Sequence, residues 1–489
     1  MRASIACQHK YKRKDAHKNG LLFCWEIIYN NVCCRDVEDA VPNCEFVVIC
    51  VGASIARPIS RNHIGGRPRK DKIMKKVAFY TLGCKVNQYE TDAMIALFEK
   101  EGYQIVPFNE GADIYIVNSC TVTENSSKKS RQVINRIVRE RPNSKIILVG
   151  CMAEEAKQGK IEIKNVDAII GTSDKKDIIN ILNGMEINNP DEREFWETGD
   201  IISHDKTRAY IKIEDGCENF CTYCIIPYMR GRIRSRKKEH VLSQVKEVIS
   251  QGIKEIVLIG IHLASYGKDF GDMTLIDLLK EINALDGEFR IRLGSLEPNF
   301  INQESIKELV KIEKLCPHFH LSLQSACNNI LKRMNRKYTI EEYKEKVQIL
   351  RENYDIVSIT TDVITGFPGE TDEDFEVTYN NLVEMKLNKL HVFPYSKRTG
   401  TFAASMENQI KEEIKSQRAN RLIKLSEKEE EEFKKQFLGK KMKVILEKRE
   451  KDGCRLGYNE QYVNVYVEDG KPGDLVEVIG NEKNLKILF

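Results

Sequence analysis

Asp215-Gly-Cys-Glu-Asn-Phe-Cys-Thr-Tyr-Cys224 places three cysteines, Cys217, Cys221 and Cys224, in a C-x3-C-x2-C array. A cubane iron–sulfur cluster has four iron corners, and cysteine thiolates are their usual ligands. Three closely spaced thiolates hold three corners and leave one iron open to a small molecule. A structural zinc site needs a fourth Cys or His close by. The next histidine, His240, lies sixteen residues beyond Cys224, past an Arg/Lys-rich run. The spacing therefore favours an open-cornered cluster over zinc.

The triplet follows the first strand of a long alternation. Strand patterns occur at Tyr210–Ile213, Glu255–Gly260, Arg290–Ser295, His318–Leu323, Ser358–Ile364 and Lys389–Pro394. Helical patterns lie between them at Val241–Ser250, Leu275–Leu285, Glu304–Ile312, Thr339–Asn353 and Thr371–Met385. Six strands with five intervening helices predict a partial (β/α)6 barrel, whose chemistry sits on the loops after the strands. At those strand ends, Tyr223 offers a ring for a purine, and Gly260 a point of close backbone approach. Ser295 and Glu297 offer a hydroxyl and a carboxylate for a ribose or an ammonium. Gly366, in Gly-Phe-Pro-Gly-Glu370, opens a candidate ligand loop. His320 and His391 read as core residues or supports of the site. Arg230, Arg232, Arg234 and Arg236 form a basic run just past the triplet, where phosphate binding is expected.

Upstream, Val77–Cys84, Asp113–Cys120 and Lys145–Cys151 read as strands separated by helices, which predicts a parallel α/β sheet. Ligands in such sheets bind beyond the carboxyl ends of the strands. Cys84, Cys120 and Cys151 each fall at such an end, so their thiols are expected to converge on a second cluster. Downstream, Glu407 to Gln436 is dense in Lys and Glu and reads as a helical connector. Five short strands are then expected at Lys443–Glu447, Cys454–Tyr458, Tyr462–Val467, Leu475–Ile479 and Leu485–Leu488. They suggest a small OB-like β-barrel, with Tyr458, Tyr462 and Tyr466 available to stack bases.

Composition bounds the rest. The chain has 489 residues, 41% hydrophobic and 31% charged, enough for several domains. Lys+Arg 77 against Asp+Glu 73 gives a net +4, so any attraction for nucleic acid must be local. Fifteen cysteines in so large a chain point to metal or redox chemistry rather than a disulfide scaffold. No apolar run is long enough to span a bilayer. Residues 1–73 hold six cysteines without a repeated metal spacing, a basic start and one short apolar run with charged flanks. A signal peptide does not fit this pattern. The expectation is an extension that is not a native domain, with translation starting at Met74.

From Met74 to Phe489 the chain resembles the radical S-adenosylmethionine (SAM) methylthiotransferases. The resemblance rests on the dispersed cysteines, the triplet, Pro227-Tyr-Met-Arg-Gly-Arg-Ile-Arg-Ser-Arg236 and Gly366-Phe-Pro-Gly-Glu-Thr371. Thr81-Leu-Gly-Cys-Lys-Val-Asn-Gln-Tyr-Glu90, Leu321-Ser-Leu-Gln-Ser325, Met334-Asn-Arg-Lys-Tyr-Thr339 and Tyr395-Ser-Lys-Arg-Thr-Gly-Thr401 are most similar to the branch acting on N6-threonylcarbamoyladenosine in tRNA. Ala326, Gly294 and Phe402 depart from the usual glycine, serine and proline. The resemblance implies an N-terminal methylthiotransferase domain at 74–190, a radical SAM domain at 203–435 and a TRAM domain at 436–489. It implies two [4Fe-4S] clusters, one on Cys217, Cys221 and Cys224 and one on Cys84, Cys120 and Cys151. SAM would lie along Tyr223, Gly260, Ser295, Glu297 and Gly366. Cleavage of SAM would give a radical that takes hydrogen from C2 of the adenosine beside the anticodon, and a second SAM would supply the methyl group. The implied partners are a tRNA anticodon loop and a flavodoxin- or ferredoxin-like reductant, in the cytoplasm. Alternatives are another N6-modified tRNA adenosine, a ribosomal-protein aspartate, or an RNA-binding protein with structural metal.

Overall fold

The computed structural model describes residues 74–185, 195–197, 207–271 and 273–487. The expectation for residues 1–73 lies outside the described residues. Strands β1 (Lys76–Thr81), β2 (Gln104–Ile105), β3 (Ile114–Ser119), β4 (Lys145–Gly150) and β5 (Ala168–Ile170) form one parallel sheet in the order β2-β1-β3-β4-β5. Every residue of β3 is buried, because helices cover both faces of the sheet. The strand order reverses between β1 and β3, which opens a crevice at their carboxyl ends. The short edge strands β2 and β5 add to the three strands that the sequence predicts.

Strand β6 (Ala209–Lys212) starts the second unit. A two-residue pair, β7 (Glu214–Asp215) and β8 (Arg234–Ser235), then closes antiparallel around the triplet loop. Strands β9 (Glu255–Ile259), β10 (Arg290–Leu293), β11 (His318–His320), β12 (Ser358–Thr365) and β13 (Lys389–Pro394) follow, each separated from the next by helix. β6, β9 and β10 are parallel neighbours, as are β11, β12 and β13. Parallel bridges Ile291–Leu315 and Leu296–Leu321 join the two sets into the expected six-stranded arc.

Alternation along the strands sorts the two faces. Ile211, Leu258, Ile291, Phe319, Ile359 and Leu390 pack outward in the main core. The alternating positions Tyr210, Val257, Arg292, His318, Asp362 and His391 therefore line the lumen. The open side of the arc is closed by the N-terminal helix Lys85–Lys100, whose Val86, Tyr89 and Ala93 pack on Val257 and Ile259.

Beyond the helix Glu412–Lys435, strands β14 (Lys441–Lys451), β15 (Cys454–Tyr458), β16 (Asn464–Val467) and β17 (Leu475–Ile479) form an antiparallel sheet in the order β16-β15-β14-β17. The expected fifth strand, Leu485–Leu488, is absent at the described residues Leu485–Ile487, where the chain leaves a short helix, Glu482–Leu485. The Asn481 side chain caps it by accepting the Asn484 N–H. Tyr462 leaves its expected strand because its φ is +64°, in a turn where Asn459 Oδ1 accepts the Val463 N–H. The tyrosines are not free for bases. Tyr458 and Tyr462 stack on each other at 4.4 Å, Arg208 lies over both rings, and Arg292 lies over Tyr462. Lys486 covers Tyr466. These rings hold the C-terminal sheet to the barrel and the chain to itself.

Candidate metal centres

The dispersed cysteines each sit at the carboxyl end of a strand of the parallel sheet. Cys84 is the N-cap of the helix after β1, Cys120 follows β3, and Cys151 begins the helix after β4. Gly150 sits at φ +92°, and a Cβ there would strike the Ser119 carbonyl. Only glycine lets the end of β4 come so close to the end of β3. Burial pushes the Cys120 thiol up to about 12, and the nearby Cys151 and Cys84 sulfurs add to the shift. Burial also raises Cys151, with the Arg230 and Lys175 cations opposing it.

The triplet is held by its own loop. The Cys217 N–H donates to the Gly231 carbonyl at 3.1 Å, and the Cys224 N–H to that of Cys221 at 3.0 Å. Burial pushes Cys217 and Cys224 up to about 12, with Cys221 contributing to both. Donors face the sulfurs: the Asn219 N–H lies 3.5 Å from Cys217 Sγ, and Arg336 Nη1 lies 3.2 Å from Cys221 Sγ. Among the described residues no three His, Cys, Asp or Glu side chains are grouped to hold a single metal ion. Thiolates on one zinc crowd around bonds of about 2.3 Å, whereas thiolates of a cubane each take a separate iron. Cysteine-only donors are the usual ligands of iron–sulfur clusters. Metal coordination would deprotonate thiols that burial otherwise keeps neutral.

The two trios share one piece of packing. Ile225 and Met229, just past the triplet, form a buried cluster with Cys151. Thr172 Oγ1 donates to the Met229 carbonyl at 2.9 Å, and Gln158 donates to that of Tyr228 at 2.9 Å. Arg230 ends the short helix Ile226–Arg230 and is fully buried. It pairs with Glu90 at 2.8 Å and Asp215 at 3.1 Å. Lys212 reaches the same two carboxylates at 2.8 and 2.6 Å, and Lys175 also pairs with Glu90. Burial would raise the Glu90 carboxyl, but Arg230, Lys175 and Lys212 hold it well below the usual range. Within the basic run expected to bind phosphate, the four arginines divide. Arg230 is spent on Glu90 and Asp215, and Arg236 is buried against Glu197 and Gln244. Arg234 is mostly buried, 3.5 Å from Asp215. Of the four, Arg232 projects into solvent, with its side chain 92% exposed.

Residues 211–382 match the radical SAM superfamily, and residues 76–171 match the uncharacterized protein family UPF0004. The threonylcarbamoyladenosine tRNA methylthiotransferase MtaB of Bacillus subtilis is 40% identical over 429 residues, covering 85% of this chain and 94% of that protein. The protein of the same name from Thermotoga maritima is 41% identical over 399 residues, covering 80% of this chain and 91% of that one. The chain belongs to the radical SAM methylthiotransferase family. A tRNA-2-methylthio-N(6)-dimethylallyladenosine synthase of Clostridium botulinum is 35% identical over 83% of this chain and 91% of its own length. Membership therefore spans more than one modified base. As a radical SAM methylthiotransferase the chain is an enzyme that works with SAM and a [4Fe-4S] cluster, and the triplet lies inside the matched radical SAM region. Among the described residues no helix is long and apolar enough to cross a membrane.

The residues expected along SAM are Tyr223, Gly260, Ser295, Glu297 and Gly366. Glu297 and Cys221 line a cavity of about 410 Å³ together with His262 and Arg336. Arg336 Nη2 donates to Glu297 at 2.8 Å, so one guanidinium spans that carboxylate and the Cys221 sulfur. Tyr223 sits edge-on to Phe367 of the Gly-Phe-Pro-Gly loop, with centroids 6.5 Å apart. Ser295 lies half-buried past β10. The two glycines serve packing rather than open approach. A side chain on Gly260 would strike the Glu214 carboxylate, which accepts the His262 N–H at 2.6 Å and which burial pushes up to about 8. Gly366, at φ +69°, lies under the Lys415 stem and donates its N–H to Glu370 at 2.7 Å. Sequence reasoning missed Glu214, His262 and Arg336. Arg336 lay within the quoted Met334–Thr339 motif, where a role for it was legible.

Proposed function

We propose that this enzyme methylthiolates C2 of N6-threonylcarbamoyladenosine beside the anticodon of tRNA. The reading includes a [4Fe-4S] cluster on Cys217, Cys221 and Cys224, a second on Cys84, Cys120 and Cys151, and two SAM per turnover. The domains are a methylthiotransferase unit at 74–190, a radical SAM unit at 203–435 and a TRAM unit at 436–489. The chemistry such cofactors bring is radical abstraction of the C2 hydrogen, sulfur insertion and methyl transfer. The chain's own residues position it. Arg336 and Glu297 fix the wall beside Cys221, and Tyr223 of the triplet loop packs edge-on against Phe367.

The observation that carries the reading is the contact of Cys151 with Ile225 and Met229, which sets one cysteine trio against the loop of the other. The names of the Bacillus and Thermotoga relatives support the substrate. Phe220 and Tyr228 support RNA: both rings are about half exposed, stand edge-on at 5.8 Å beside the triplet, and have the solvent-exposed Arg232 nearby in sequence. The cytoplasm and a flavodoxin- or ferredoxin-like electron donor complete the proposal.

Nucleoside analysis of tRNA from a strain lacking this gene and any redundant enzyme tests the substrate. Threonylcarbamoyladenosine should lose its methylthio group; retention overturns the assignment. Loss from an N6-dimethylallyl adenosine instead would favour the second reading, which the Clostridium relative supports.

A further inference from the structure

Among the described residues the barrel lumen carries a cation with no carboxylate partner. Lys85 directly follows Cys84 and begins the helix that closes the arc. Its side chain is half-buried, with Nζ 5.8 Å from the centre of the Tyr210 ring on the lumen face of β6. Among the described residues no carboxylate lies within 4.0 Å of that ammonium. The neighbouring lysines at the same junction behave differently. Lys175 is paired with Glu90, and Lys212 with both Glu90 and Asp215.

Among the described residues the other ionisable groups facing the lumen are neutral or engaged elsewhere. Burial holds His318 and His391 well below their usual range, with Lys85 among the cations that depress both, so their rings are neutral. Asp362 faces His320 at 3.3 Å, and Arg292 is held by Glu255 at 3.1 Å. A partly desolvated ammonium without an anion is costly unless something supplies one. Cation–π contact with Tyr210 compensates only in part.

We propose that Lys85 recognises a carboxylate on the N6 substituent of the adenine, which enters the lumen beside Cys84. The inference rests on the tRNA methylthiotransferase reading and sharpens its substrate class. A threonylcarbamoyl group carries such a carboxylate, and a dimethylallyl group carries no charge. The pairing places one end of the modified base next to the dispersed trio, on the same helix start that positions Cys84. Lys85 is in this sense a specificity residue: it touches the substituent and not the reacting carbon.

The test uses the full chain with its clusters reconstituted. Three anticodon stem-loops are compared, bearing N6-threonylcarbamoyladenosine, its carboxamide analogue and unmodified adenosine. Equilibrium binding by fluorescence anisotropy is read alongside kcat/KM. The wild type should favour the acid over the carboxamide by about 10–100-fold in binding, as expected for one charge-assisted contact. Lys85→Met should bring that ratio to about one, and Lys85→Arg should restore a preference for the acid. An acid-to-carboxamide ratio unchanged in Lys85→Met overturns the proposal while leaving the proposed function intact. A wild-type ratio near one also overturns it, whatever the variants do. No methylthiolation of the acid substrate by wild type sinks the underlying reading instead.

Discussion

Arg230 Nη2 donates to Asn87 Oδ1 at 3.1 Å, and the same oxygen accepts the Cys84 thiol at 3.3 Å. One guanidinium from the triplet's own helix thus anchors a residue of the dispersed trio's helix. Arg230→Ala would leave Glu90 and Asp215 short of a buried partner, at a cost of about 3–5 kcal/mol. Arg230→Lys should recover only part of this, because an ammonium cannot reproduce the planar fork. Denaturant unfolding checks both. A loss below about 1 kcal/mol in the alanine variant would mean that the network is not structural.

The cysteine trios should separate by function. Cys221→Ala is expected to abolish deoxyadenosine formation from SAM while keeping the absorbance of the other cluster. Cys120→Ala is expected to keep SAM cleavage and lose sulfur insertion. Wild-type protein should bind about eight irons, by the four-iron count of a cubane, and each variant about four. Undiminished deoxyadenosine in the first, or normal methylthiolation in the second, contradicts the assignment.

Glu255 governs how acid loosens the C-terminal sheet. It accepts from Arg290 at 2.7 Å and Arg292 at 3.1 Å, while Arg290 also donates to the carbonyls of Tyr458 and Lys443. Burial alone would raise this carboxyl, but Arg292, Arg208 and Arg290 hold it well below its usual value. A depressed carboxylate contributes stability above its unfolded pKa, about 4.3, and loses it as pH falls through the folded value. Resistance of the 441–479 segment to limited proteolysis should therefore be flat from about pH 5 to 8 and fall in stronger acid. Glu255→Gln should be cleaved readily across the whole range. A sharp change near neutrality would point to a different group.

Phe220 should matter to RNA and not to SAM. Its φ of +46° is unusual for a bulky residue and turns the ring outward, with Asn335 Nδ2 holding its carbonyl at 3.0 Å. Phe220→Ala is expected to weaken anticodon stem-loop binding by about 1–3 kcal/mol, the range for a stacked base. Gel shift or anisotropy measures this. Equal affinity for the two proteins would remove Phe220 from the RNA surface.

Much of this was legible because strand ends and cysteine spacings are local facts. The strand-end positions of Cys84, Cys120 and Cys151 could be read from the β-α alternation alone, since parallel strands bring their ends to one edge. What stayed hidden depended on partners far along the chain. The charge of Arg230 is cancelled by Glu90, 140 residues upstream, so a run that looks solvated or phosphate-seeking turns inward. The role of Gly260 is set by the Glu214 side chain, from the strand before the triplet. The last β-like run is preceded by a helical turn that Asn481 caps, a local signal that apolar patterning outweighed.

The shared packing of Cys151 with Ile225 and Met229 has a mechanical corollary. A strut common to both loops ties the segment after the triplet to the helix that Cys151 begins, so a disturbance at Ile225 or Met229 is felt on both sides.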